Sequence, residues 1–141
     1  MLHRSFVVVV LTLLVAGCGG GDDQASPQVD TTAAQDRAAV LVTTDCGKTT
    51  VVAKSPVDAG ETAMRALDRI ADVETDSGGK FVTAIQGREQ DTGKKLAWLY
   101  YINGKAAQKG ATEVKLSTGD VEWWDLHNYE HECAVVPAAA K

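Results

Sequence analysis

The rhythm of apolar and polar positions changes sharply along the chain. Phe6-Val7-Val8-Val9-Val10-Leu11-Thr12-Leu13-Leu14-Val15 is apolar but for one threonine, and follows a short basic start, Met1-Leu2-His3-Arg4-Ser5. About ten apolar residues are too few to cross a hydrocarbon core of roughly 30 Å as a helix. A basic start before such a run is the pattern of a secretory signal peptide. Behind it, Gly19-Gly20-Gly21-Asp22-Asp23-Gln24-Ala25-Ser26-Pro27-Gln28 is polar and glycine-rich. Such a segment cannot bury enough apolar surface to offset chain entropy, and it predicts a flexible tether.

From Ala38 the pattern becomes that of a folded domain. Ala38-Ala39-Val40-Leu41-Val42-Thr43-Thr44 is β-branched and apolar and predicts a strand. Asp45-Cys46-Gly47-Lys48 supplies turn chemistry, and Thr49-Thr50-Val51-Val52-Ala53-Lys54 returns as a second strand that Pro56 is expected to end. Thr62 is a plausible N-cap for a helix whose Met64, Leu67, Ile70 and Ala71 share a face, with Arg65, Asp68, Arg69 and Asp72 opposite. Ser77-Gly78-Gly79 breaks the chain before a strand at Phe81-Val82-Thr83-Ala84-Ile85, and residues 87–95 read as a polar loop. Leu96-Ala97-Trp98-Leu99-Tyr100-Tyr101-Ile102 is the clearest strand, closed by Asn103-Gly104, a type I′ turn dipeptide. Val121-Glu122-Trp123-Trp124-Asp125-Leu126 is the last strand.

The order β-β-α-β-β-β predicts an α+β, β-grasp-like (ubiquitin-like) mixed sheet of four to five strands with one packed helix, preceded by the signal peptide and tether. In that topology the first and last strands lie side by side and parallel. The expected segments are a signal peptide at 1–17, a lipidated cysteine and linker at 18–37, a folded domain at 38–134 and a tail at 135–141.

Composition narrows the functional classes. The 141 residues allow one ordinary domain, and 45% hydrophobic with 23% charged residues fits a globular chain rather than a disordered one. Fourteen Lys and Arg against 19 Asp and Glu give a formal charge of −5, which leaves no clustered basic face for nucleic acid. Leu14-Val15-Ala16-Gly17-Cys18 is a lipobox pattern, in which small residues precede a cysteine whose thiol takes a diacylglyceryl group. At roughly 0.8 kcal/mol per buried methylene, two or three acyl chains hold a domain at a membrane stably. The expected location is therefore the extracytoplasmic face of a cell membrane, with Cys18 as the anchor.

Several stretches resemble one known family. Gly79-Lys80-Phe81-Val82-Thr83, Trp98-Leu99-Tyr100-Tyr101-Ile102-Asn103-Gly104-Lys105, Gly110-Ala111 and Leu116-Ser117-Thr118-Gly119-Asp120-Val121-Glu122-Trp123 are together similar to the transcobalamin-like C-terminal domain. Bacteria carry this domain on lipoproteins and surface proteins as DUF4430. The resemblance spans about residues 38–130. It implies a β-grasp-like fold, and in the animal proteins the domain closes over the corrin ring of cobalamin beside a large helical domain.

Once Cys18 is assigned to lipid, Cys46 and Cys133 remain. An exported compartment permits oxidation, and the two cysteines flank the ends of strands expected to be adjacent, so a disulfide is predicted. The alternative is a metal. His127-Asn128-Tyr129-Glu130-His131-Glu132-Cys133 gathers histidines, acids and a thiol, and with Cys46 it could ligate zinc. A disulfide removes both thiols from that set, and a solvated polar segment with no metal is the expectation.

Setting aside Phe6 of the signal peptide, the aromatic residues gather in the second half. Strand alternation sends Tyr100 and Tyr101 to opposite faces, and likewise Trp123 and Trp124. One helix covers only one face, so some rings are expected on an uncovered face, or beneath the 104–116 crossover. The candidate ligand-binding residues are Trp98, Tyr100, Tyr101, Asn103, Trp123 and Trp124. No catalytic motif appears, Glu122 and Asp125 share no face, and the cysteines lack C-x-x-C spacing, so no enzyme activity and no cofactor are expected. Two partner classes follow: a small planar ligand such as a cobalamin-like molecule, or another envelope protein or glycan for which the domain is an adaptor.

Overall fold

The computed structural model describes residues 36–141. The expected signal peptide, lipidation site Cys18 and most of the tether lie outside these residues. The described elements are β1 (Arg37–Thr44), β2 (Thr49–Asp58), α1 (Ala63–Asp68), β3 (Val73–Thr75), β4 (Val82–Ile85), β5 (Arg88–Glu89), β6 (Leu96–Ile102), β7 (Lys105–Ala106) and β8 (Val121–Asn128). They form a mixed five-stranded sheet in the order β2-β1-β8-β6-β7 and a second sheet in the order β3-β4-β5.

The parallel pairing of the first and last strands is present. β1 runs beside β8 with Ala39 opposite Val121, Leu41 opposite Trp123 and Thr43 opposite Asp125. Both strands are internal to the sheet and covered on both sides, so Val40, Leu41, Val42 and Thr43 are all buried in succession, as are residues 121–125. A strand covered on both faces loses the polar half of its alternation. One face, with Ala38, Val40, Val42, Trp98 and Trp124, packs on Ala63, Ala66 and Leu67 of α1 and on Val82 and Ile85 of β4. The other face, with Leu41, Tyr101 and Trp123, packs on Cys133, Val136 and Ala140.

Several local expectations change. Pro56 does not end β2, which continues to Asp58 with Pro56 opposite Ala39; β2 is an edge strand, where proline removes no ladder bond that the sheet needs. The helix is six residues long, with Thr62 Oγ1 accepting from the Arg65 N–H, and Ile70 and Ala71 follow it in a turn whose N–H groups bond to the Leu67 carbonyl. The segment at 81–85 is a strand, yet it joins the smaller sheet. The expected loop at 87–95 contains its partner β5, reached through Gln86 and Gly87 at φ 51° and 68°. That is the left-handed pair of a type I′ turn, and the same geometry at Asn103 and Gly104 (φ 51° and 75°) joins β6 to β7 as expected.

The larger correction concerns the sheet's second face. It is not open: the chain beyond β8 folds back across it, ending in a 3-10 turn (Ala138–Ala140) whose Ala140 is fully buried. The predicted Cys46–Cys133 disulfide is formed, with Cα atoms 5.3 Å apart, and ties this segment to the β1–β2 turn. The closeness of the fit is visible at Gly47, whose φ is +80° and where a Cβ would lie 2.1 Å from Pro137 Cγ.

Candidate functional site

The site grows from the register of β6 on β8. Tyr100 lies opposite Trp124 and Tyr101 opposite Trp123, so each face of the sheet carries one stacked pair. The ring centroids are 4.9 Å apart with planes at 20° in the first, and 4.6 Å apart at 28° in the second. Such pairs add about 0.5–1.5 kcal/mol beyond the area they bury, which here reinforces the register of the two strands.

Beside these pairs the edge of β6 opens into a cleft of about 440 Å³, within the usual range of small-molecule sites. β7 pairs with β6 only at Tyr101 and Ile102, so among the described residues no strand lies outside Trp98 and Leu99. The cleft is walled by Phe81 before β4, by residues 106–111 of the crossover, and by Tyr129 and His131 beyond β8. Trp98, Tyr100, Tyr101 and Trp124 supply its floor. Two polar tips are already bonded, Trp98 Nε1 to the Arg88 carbonyl at 2.9 Å and the Tyr100 hydroxyl to the Lys109 carbonyl. What faces the cleft is therefore largely ring and alkyl surface, with Lys80, Lys109 and Glu132 among its lining groups.

Of the sequence candidates, Trp98, Tyr100, Tyr101 and Trp124 converge on this cleft, and two do not. Trp123 is fully buried on the opposite face and donates through Nε1 to Thr43 Oγ1 at 2.7 Å. Asn103 pins a turn: its amide donates to Asp120 Oδ1 and its carbonyl accepts from the Val121 N–H, each at 2.8 Å. The expectation of rings on an uncovered face also gives way, because the returning C-terminal segment occupies that face. Sequence reasoning missed Phe81 and Tyr129, which at 71% and 48% exposure are the exposed aromatic rings of the described chain. Their signal was position, since each stands just outside a strand and is not drawn into either core.

Two buried carboxylates lie on opposite sides of β8. Asp125 accepts from the N–H groups of Cys46 and Gly47 at 2.9 Å, from Thr43 Oγ1, and sits 3.0 Å from His127 Nδ1. The β1–β2 turn can present those N–H groups because Asp45, Cys46 and Gly47 all take left-handed φ of 55°, 57° and 80°, forming an anion-holding concavity. Burial pushes the Asp125 carboxyl up, but the bonds from His127, Thr43, Cys46 and Gly47 outweigh it and hold the group below its ordinary range. His127 Nε2 lies 3.3 Å from the Tyr101 hydroxyl. Burial, followed by the charges of Asp125 and Glu132, pushes that phenol up, so it is not prepared as a base. Glu122 is fully buried on the helix side; Trp124 Nε1 donates to its Oε1, and Oε2 has no partner. Burial pushes its carboxyl to about 8.

A family described as a domain of unknown function, DUF4430, matches residues 60–128. Residues 60–128 are similar to the DUF4430 domain. The matched part of the DUF4430 domain runs from the end of β2 to the end of β8, shorter than the resemblance at 38–130. β1, which pairs with β8 in the sheet centre, lies outside it. No curated protein matches the chain. Among solved structures, the fold resembles a Ruminococcus gnavus protein provisionally described as metal-binding. That protein is 18% identical with a TM-score of 0.52, over 66% of this chain and 97% of that one. It also resembles haptocorrin in complex with Cbi, at 17% identity and a TM-score of 0.52, over 67% of this chain and 26% of that one. These likenesses establish the fold of this chain alone; haptocorrin is matched over about a quarter of its length. Among the described residues no helix is long and apolar enough to cross a membrane.

Proposed function

We propose that this protein is a lipid-anchored, extracytoplasmic binding module that takes a small planar ligand, with a cobalamin-like molecule as the leading class, and performs no catalysis. The observation that carries the reading is the aromatic cleft at the β6 edge, where Phe81 and Tyr129 hold exposed ring surface beside Trp98 and Tyr100. Rings kept out of the core and grouped around a concavity are suited to stacking on a flat ligand. The fold shared with haptocorrin in complex with Cbi supports the choice of ligand class. The absence of catalysis is favoured by the chemistry of the site: Glu122 is sealed in the core, and Asp125 is fully engaged by its donors. Anchoring rests on the lipobox at Leu14-Val15-Ala16-Gly17-Cys18, and failure of labelled palmitate to enter the protein would remove it.

The test is a tryptophan fluorescence titration with corrinoids, alongside a Phe81→Ala variant. Saturable quenching that weakens in the variant is the expected result; no quenching at high micromolar corrinoid would overturn the ligand class. A second reading is favoured by the short part of the β6 edge at Trp98 and Leu99 that no described strand flanks, which offers backbone groups to an incoming strand. In that reading the domain is an adaptor for another envelope protein or glycan, and crosslinking at the membrane that recovers only the monomer would count against it.

A further inference from the structure

The disulfide sits inside a ready-made ligand set. Cys46 Sγ, Cys133 Sγ, a ring nitrogen of His127 and a carboxylate oxygen of Asp125 all lie within 4.8 Å of one another, with Asp125 and His127 buried and the cysteines half-buried. In a tetrahedral zinc site, metal bonds of about 2.3 Å to sulfur and 2.0–2.2 Å to nitrogen and oxygen set ligand-to-ligand separations of roughly 3.3–3.8 Å. Nδ1 of His127 and Oδ1 of Asp125 are already 3.0 Å apart. The cysteine Cα atoms, 5.3 Å apart, leave side-chain rotation as the main adjustment once the sulfurs are separated.

We propose that reduction of the Cys46–Cys133 bond converts this cluster into a four-ligand site for a zinc-class divalent cation. The ligands are both thiolates, Nδ1 of His127 and the Asp125 carboxylate. A dithiol reductant gives two electrons and two protons to the disulfide and leaves as its own disulfide; the two protein thiols then release two protons as they bind the cation. Two thiolates, an imidazole and a carboxylate form the borderline-soft set that zinc takes. The surrounding contacts fit as well. Thr43 Oγ1 and the Gly47 N–H hold Oδ2 of Asp125, and the Tyr101 hydroxyl stands 3.3 Å from Nε2 of His127; when Nδ1 binds the cation in place of its bond to Asp125, the ring hydrogen sits on Nε2 and the phenol oxygen accepts a hydrogen bond from it. The cation then replaces the covalent bond in holding the C-terminal segment over Leu41 and Trp123.

The experiment uses the full chain carrying Cys18→Ser, so that two thiols are present after reduction. The protein is reduced anaerobically with a phosphine, freed of it, and titrated with cobalt(II), then with zinc(II). One equivalent of cobalt giving intense tetrahedral d–d bands and a thiolate-to-cobalt charge-transfer band, displaced by zinc, supports the site, as does a zinc-dependent rise in Tm for the reduced chain alone. His127→Ala, checked for folding in its oxidised form, is expected to weaken cobalt binding at least tenfold and change the spectrum. The proposal is overturned by any of three results: a reduced chain with both thiols titratable that binds no cobalt, equal binding and spectrum in His127→Ala, or a reduced chain that loses its near-ultraviolet dichroism and does not regain it with metal.

Discussion

Replacing Glu122 by glutamine should stabilise the protein, and by more the higher the pH. Glu122 lies in register between Val40 of β1 and Ile102 of β6, is fully buried, and leaves Oε2 without a partner. Burial raises its carboxyl from the ordinary 4.5 to about 8, against the opposing bond from Trp124. Below the ordinary value both folded and unfolded chains hold the proton, and the group contributes no pH dependence. Between there and about 8 the unfolded chain ionises while the folded chain does not, so stability falls as pH rises; above about 8 the loss is complete. At about 1.4 kcal/mol per pH unit, this is a penalty on the order of 4–5 kcal/mol, an upper bound because a buried carboxylate relaxes its surroundings. Glutamine keeps the shape and the Trp124 bond but cannot ionise. Urea unfolding of the oxidised protein at pH 5 to 8 should show the variant gaining about 3 kcal/mol on the wild type across that range. The difference between the two isolates Glu122 from Asp125, whose depressed value acts in acid with the opposite sign. A difference that stays flat within about 0.5 kcal/mol would refute the account of a neutral, desolvated Glu122.

Reduction of Cys46–Cys133 without metal opens a constraint across a separation of 87 residues, and urea midpoints should report a loss of about 4–5 kcal/mol by the chain-entropy model. Gly47→Ala meets Pro137 at 2.1 Å while holding φ +80°, so a loss of about 2–3 kcal/mol is expected; an unchanged midpoint would show that the C-terminal segment does not press on the turn. Phe81→Ala should leave stability within about 0.5 kcal/mol, because the ring is 71% exposed. The same variant should weaken corrinoid binding by roughly tenfold in the fluorescence titration.

The framework was legible where local pattern and topology agreed. β1 and β8 are strongly apolar, and their parallel pairing follows from the order of elements; the disulfide follows from that pairing. Asn103-Gly104 announced its turn for a purely conformational reason, the left-handed φ at both positions. The smaller sheet was not legible, since the four residues of β4 declare a strand but not a partner, and β5 has only two residues. Nor was the covering of the second face. Residues 134–141, Ala134-Val135-Val136-Pro137-Ala138-Ala139-Ala140-Lys141, carry no strand or helix period, and Ala140 is buried because the disulfide and two close glycine contacts, at Gly47 and Gly104, guide the segment back. The cleft was half legible for the same reason: β6 and β8 supplied its floor, while Phe81 and Tyr129 reach it from segments whose course is set by tertiary packing.

The side-by-side placement of the earliest and latest strands has a consequence for how the molecule comes into being. A chain that emerges from a ribosome or a narrow pore with its N-terminus leading presents β1 long before Val121–Asn128 arrives to flank it. Until then the middle of the larger sheet has no occupant, and β1 has only β2 of its two neighbours in place. Contacts this distant along the sequence form late and slowly, so the sheet is completed only once nearly all of the polypeptide has been delivered.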